Sequence, residues 1–166
     1  AFFLGFPKLK DHFEKCKKFA LDKGYIITNP ITNRRRWIPE WKEWRQLAVI
    51  KPWDITEEQR KLRSKLRGRI ERKALNTPIQ GTSGDITKTA LIILRESLLK
   101  LGIRPTSDAP IKIVNVVHDE CCVEAKIEYA ELAAKLLQEA MEKAGKIFVK
   151  QIDMPAIPKI LDYWDH

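Results

Sequence analysis

A chain of 166 residues, 44% hydrophobic and 32% charged, is one domain's worth of globular protein or a piece of a larger one. No apolar run approaches the roughly 18 residues needed to cross a bilayer, which argues against a membrane partner. A net charge of +9, from 31 Lys and Arg against 22 Asp and Glu, favours a polyanionic partner, nucleic acid above all, and the 3 cysteines form no Cys-x-x-Cys pair and no disulfide framework.

The opening Ala1-Phe2-Phe3-Leu4-Gly5-Phe6 has the apolar character of a signal peptide. No basic segment precedes it, no small-residue cleavage site follows and there is no initiator Met, so the chain is expected to begin inside a longer polypeptide. Pro7 suits a first helical position, and Leu9, Phe13, Cys16 and Ala20 recur at helical spacing as far as Gly24. Residues 25–28 and 35–38 predict two short strands joined by the turn chemistry of Asn29-Pro30 and Asn33.

Residues 40–54 are irregular in pattern and rich in Trp (Trp41, Trp44, Trp53). Thr56-Glu57-Glu58-Gln59 has the form of a capping box and predicts a helix to about residue 75. Beyond its capping box that helix carries Arg60, Lys61, Arg63, Lys65, Arg67, Arg69, Arg72 and Lys73 against Glu71 alone. A charge run is usually a solvated face, but these residues reach nearly every side, which favours phosphate contact. Pro78 is read as opening a further helix, with Ile86, Ala90, Ile93 and Leu94 as its apolar stripe, ending at Gly102. The β-branched run of residues 111–117 has the pattern of a buried strand, and residues 121–125 resume an extended pattern after His118-Asp119-Glu120. A last helix over about 128–144, with Leu132, Leu136 and Ala140 on one side, is predicted to stop at Gly145, and residues 147–149 to form a strand.

Two segments carry chemistry. The hairpin tip sets adjacent carboxylates on a rigid scaffold, which suits a hard cation such as Mg²⁺, although Asp is also an ordinary turn residue. A zinc site from His118, Asp119, Cys121 and Cys122 is poorly spaced. The second segment spaces Arg72, Asn76 and Gln80 by four, along one side of a helix. Such side chains suit the minor groove of a duplex of any sequence, and the alternative is a polar helix start with Gln80 and Thr82 as caps. Gly81 would let a backbone or ligand come close.

In order along the chain, Arg72-x-x-x-Asn76-x-Pro78-x-Gln80-Gly81-Thr82-x-x-Asp85-Ile86 followed by Val117-His118-Asp119-Glu120 resembles the family A DNA polymerases, the DNA polymerase I type. Gly24-Tyr25, then Arg34-Arg35-Arg36-Trp37-Ile38-Pro39, is similar to the family's Gly-Tyr…Gly-Arg-Arg…Pro segment, and the closing aromatics and His166 fit its C-terminus. The stretch between Pro39 and Arg72 is longer than in bacterial members, Ser83-Gly84 replaces the usual Ala-Ala and Val116 stands where many members have Gln. Single-subunit RNA polymerases follow His-Asp with Ser, so Glu120 argues for the DNA enzyme.

The resemblance implies an α+β fold. Residues 1–80 would be the C-terminal part of the fingers, with a Trp-rich insertion near 40–56, and 81–166 the C-terminal part of the palm with the hairpin bearing His118-Asp119-Glu120. It implies template-directed nucleotidyl transfer to a primer 3′-OH by two Mg²⁺ ions. Asp119 would be a catalytic metal ligand, Glu120 its more peripheral neighbour and His118 a residue close to the primer terminus. Arg72, Asn76 and Gln80 would contact primer–template DNA, with Lys73 and the Arg34–Arg36 cluster as further backbone contacts. Two-metal chemistry needs carboxylates from two places. The family's first catalytic aspartate and its triphosphate-binding helix lie upstream, so an N-terminal polymerase segment is an expected partner, beside primer–template DNA and deoxynucleoside triphosphates. The expected location is the cytoplasm of a bacterium or phage-infected host. A non-catalytic nucleic-acid-binding module of polymerase-derived fold and a structural or assembly protein are the alternatives.

Overall fold

The computed structural model describes residues 5–117 and 120–164, and it mixes helices with two small antiparallel sheets, an α+β arrangement as expected. It divides into two compact units, Ala1–Gly81 and Thr82–His166.

In the first unit, helix α1 spans Pro7–Lys23 and ends at Gly24, left-handed at φ 75°, whose N–H bonds the Ala20 carbonyl. Strands β1 (Tyr25–Ile27) and β2 (Arg35–Trp37) pair antiparallel, Tyr25 opposite Trp37 and Ile27 opposite Arg35. Their turn is organised by Asn29, whose Oδ1 accepts from the backbone N–H groups of Ile31 and Thr32 at 3.0 and 2.8 Å.

The Trp-rich stretch, expected to be irregular, holds helix α2 (Glu40–Ala48). A helix so short is marginal in isolation. Trp41 and Trp44, three apart on one face, pack it against the core formed by Ala20, Ile26, Ile38, Ile70 and Ala74. The Trp41 indole N–H donates to the Leu21 carbonyl at 2.6 Å, and its ring presses on Gly24, where a Cβ would come within 2.6 Å of Trp41 Cδ2.

The capping box opens α3 as predicted: Gln59 N–H donates to Thr56 Oγ1 at 3.2 Å and Thr56 N–H to Gln59 Oε1 at 3.0 Å. The expected break near residue 75 is absent. Helix α3 runs unbroken over Glu57–Lys100, with Pro78 inside it. An interior proline removes one helical hydrogen bond and costs about 3 kcal/mol in isolation. The opposing force is burial: Leu66, Ile70, Ala74 and Thr77 form a continuous buried face through the first unit, and Ala90, Leu94 and Leu98 another through the second. At Gly81 a Cβ would lie 2.7 Å from both Cβ and Cγ2 of Thr28, so the glycine admits the chain just beyond β1 against the helix.

In the second unit, β3 (Ile111–Val117) and β4 (Glu120–Ala125) pair antiparallel from Ile111 opposite Ala125 to Val117 opposite Glu120, with a register shift between Ile113 and Asn115. The β-branched run is not the buried strand its composition suggests. Ile111 is buried, but Ile113, Val114 and Val116 are exposed, because the sheet has two strands and nothing among the described residues covers them. After a 3₁₀ turn at Ile127–Tyr129, helix α4 spans Ala130–Phe148. It runs past Gly145, which is buried against Met154, and takes in Ile147 and Phe148, two of the three residues predicted as a final strand, while Val149 is extended. Its buried side is Ala133, Ala140 and Ala144 with Leu136 and Leu137 half-buried, while Leu132 is exposed. Ala133 and Ala140 share a core with Leu94, Leu98 and Ile111.

Candidate nucleic-acid interface

The buried face of α3 fixes what its other faces present. With Ile70, Ala74 and Thr77 turned to the core, Arg72, Asn76 and Gln80 are all exposed, one turn apart, on one side of the helix. Beside that side, Gln80, Gly81 and Thr77 join Thr28, Arg34, Arg35 and Arg36 around an open recess of about 320 Å³. The hairpin brings three guanidinium groups to it. Arg34 donates to the Gly81 carbonyl at 3.4 Å, Arg36 donates to Thr77 Oγ1 at 3.3 Å, and Arg35 lies over the Tyr25 ring at 4.9 Å from its centroid. The first two bonds tie the hairpin to α3 as well as lending the recess its charge.

Lys73 behaves differently from its neighbour Arg72. Its ammonium donates to both carboxylate oxygens of Glu40, at 2.6 and 2.8 Å, across to the start of α2. That bond holds the Glu40 carboxyl below its ordinary range. Lys73 therefore ties α2 to α3 and is less open to an external phosphate than Arg72.

Of the carboxylate residues singled out in the sequence, Glu120 is exposed at the first position of β4, opposite Val117. His118 and Asp119 lie outside the described residues. Cys121 and Cys122 are free and half-buried on β4, and burial, then the neighbouring thiol, pushes the Cys121 thiol up. Among the described residues, no three His, Cys, Asp or Glu side chains are grouped to hold a metal. Thr28 and Thr77 are recess residues that sequence reasoning missed. Each is a lone threonine far from the other in the chain, and only the tertiary contact at Gly81 joins them.

A sequence model described as DNA polymerase family A matches residues 1–165. The chain belongs to that family. Similar relatives include DNA polymerase I of Caldicellulosiruptor bescii, 31% identical over 143 residues, which are 86% of this chain and 14% of the relative. The thermostable DNA polymerase I of Thermus thermophilus is 32% identical over 148 residues, 89% of this chain and 14% of its own length. Among solved structures, the POL domain of Pol1 from M. smegmatis, in complex with DNA primer-template and dNTP, superposes with a TM-score of 0.60 at 28% identity, covering 86% of this chain and 20% of that one. The chain thus spans about one seventh of the length of the curated family members it matches. No described helix is long and apolar enough to cross a membrane.

Proposed function

We propose that this chain is the C-terminal portion of a DNA-directed DNA polymerase, residues 1–80 belonging to the fingers and 81–166 to the palm. The observation that carries the reading is the exposed Arg72–Asn76–Gln80 face of α3 in a chain whose family membership runs over residues 1–165. On this reading Arg72, Asn76 and Gln80 hold primer–template DNA through groove and backbone hydrogen bonds with little base preference. Arg34 and Arg35 add positive charge at the recess, and Lys73 acts by fixing α2 and α3 together. The M. smegmatis polymerase domain holds primer-template and dNTP, which supports DNA and nucleotides as partners here.

Asp119 and Glu120 are the proposed metal-binding pair, with His118 beside the primer terminus. Glu120 offers an exposed carboxylate at a strand end, the oxygen donor that Mg²⁺ takes, so the donor chemistry fits. Bound there, Mg²⁺ would neutralise charge developing on the reacting phosphate. A second set of carboxylates is required for two ions, and an N-terminal polymerase segment is the proposed source.

The test is primer extension with Mg²⁺ by this chain alone and by the chain mixed with a family A N-terminal segment, each with and without Asp119→Ala. Activity in the mixture only, abolished by the substitution, is expected. Extension by the chain alone would refute the dependence on a second segment. No extension in either case, despite tight DNA binding, would refute the polymerase reading in favour of a non-catalytic module.

A further inference from the structure

The face of α3 that presents Arg72, Asn76 and Gln80 does not begin at Arg72. At about 100° per residue, Lys61, Lys65 and Arg69 fall with them in one arc of about 100°, and all six side chains are exposed. They belong to one compact unit and one unbroken helix. From Lys61 to Gln80 the face is about 28 Å long, against about 12 Å from Arg72 to Gln80. The added length lies in the stretch between Pro39 and Arg72.

Beyond Lys61, the charge on this face is arranged differently from the charge beside it. Arg67 is paired with Glu71 at 2.7 Å, Lys73 with Glu40 at 2.6 Å, and Lys61 with Glu57 at 2.7 Å in a fully surface-exposed pair of little energetic weight. Among the described residues, the ion pairs of α3 include none to Lys65, Arg69 or Arg72, although Arg69 lies close enough to Glu40 to help hold its carboxyl down. Like charges one turn apart on a helix repel. A solvated surface gains nothing from this stacking, whereas a polyanion lying along it offsets the repulsion and releases counterions.

We propose that Lys65 and Arg69, with Lys61 beyond them, extend the duplex-binding face of α3 as phosphate contacts, so that the DNA held at Arg72, Asn76 and Gln80 continues along the helix toward its start. The inference rests on the groove reading of those three residues, and the experiment separates the two.

Fluorescence anisotropy with a labelled primer–template duplex gives the association constant of the 166-residue chain across a salt series. Lys65→Gln/Arg69→Gln is compared with Arg72→Gln and with Lys135→Gln/Lys146→Gln, which removes the same charge from exposed positions on α4. Each lost phosphate contact lowers the slope of log K against log salt by about 0.9, so the Lys65/Arg69 variant should lose about 1.8 from the slope. Equivalently, between about 50 and about 200 mM salt the wild type should lose roughly tenfold more affinity than that variant. The α4 control should keep the wild-type slope, and Arg72→Gln should weaken binding. A slope for Lys65→Gln/Arg69→Gln equal to that of the α4 control overturns the extension, and if Arg72→Gln still weakens binding the groove reading stands. An Arg72→Gln variant that binds like wild type refutes the groove reading and, with it, the shared face. All the substituted side chains are exposed, so unchanged melting curves are expected to accompany every variant.

Discussion

Gly81 and Gly84 sit one turn apart in α3 and give a matched pair of substitutions. At Gly84 a Cβ would meet nothing within 4 Å, whereas at Gly81 it would lie 2.7 Å from two carbon atoms of Thr28. Neither glycine has a positive φ, so alanine brings no backbone strain at either position. Gly84→Ala should therefore collect the helix-propensity gain of up to about 1 kcal/mol. Gly81→Ala collects the same gain but must displace Thr28 Cβ, which is anchored to the backbone and cannot swing aside. Overpacking of this kind costs about 1–3 kcal/mol. Gly81→Ala should thus be about 1–3 kcal/mol less stable than Gly84→Ala, or roughly 2–12 °C in melting temperature for a chain of this size. Because the Arg34 bond to the Gly81 carbonyl depends on the same approach, DNA affinity should fall for Gly81→Ala and hold for Gly84→Ala. Thermal melts of both variants, and of Gly81→Ala combined with Thr28→Gly, provide the assay. Equal stability of the two single variants, or no recovery in the double one, would refute the close packing of residue 28 on α3.

Gly24→Ala should be more destabilising than Gly102→Ala. Both glycines are left-handed, at φ 75° and 78°, and each should lose about 1–2 kcal/mol, but only Gly24 also meets the Trp41 ring; urea denaturation of both checks the order. Glu40→Gln should lower stability at neutral pH by no more than about 1 kcal/mol, since the Lys73 pair is partly exposed. Because Lys73 depresses the folded-state pKa of Glu40, that contribution is present above the ordinary carboxylate range and is lost as pH falls through the depressed value. Melts of wild type and Glu40→Gln should therefore converge in acid, and a gap that persists there would show that the substitution acts by another route.

Elements set by local chemistry were readable from the sequence: the proline start and glycine stop of α1, the β1–β2 hairpin around Asn29, and the capping box at Thr56. Elements set by contacts distant in the chain were not. Pro78 and Gly81 are ordinary helix breakers by local rules, and burial of Ala74 and Thr77 on one side of them overrides those rules. Helix α2 is built of good helix formers but is too short to persist alone, and it is held because two tryptophans find a core that includes α1, β1 and α3 residues. At the candidate interface the four-residue spacing of Arg72, Asn76 and Gln80 gave their shared side directly, since buried neighbours at the complementary positions leave it exposed. The tasks of Arg34, Arg36 and Lys73 were hidden, because Gly81, Thr77 and Glu40, which receive their hydrogen bonds, lie far away in the chain.

An unbroken α3 ties the exposed row from Lys61 to Gln80 and the buried row from Leu66 to Thr77 to a single angular phase. A one-residue insertion or deletion between Arg69 and Asn76 would turn everything beyond it by about 100°, swinging Asn76 and Gln80 off the row while pulling Thr77 from the core. Changes of length in this helix can therefore be absorbed only near whole turns, roughly four, seven or eleven residues. The spacing acts as a reading frame in three dimensions, and lineages that lengthen or shorten this stretch should do so in those steps.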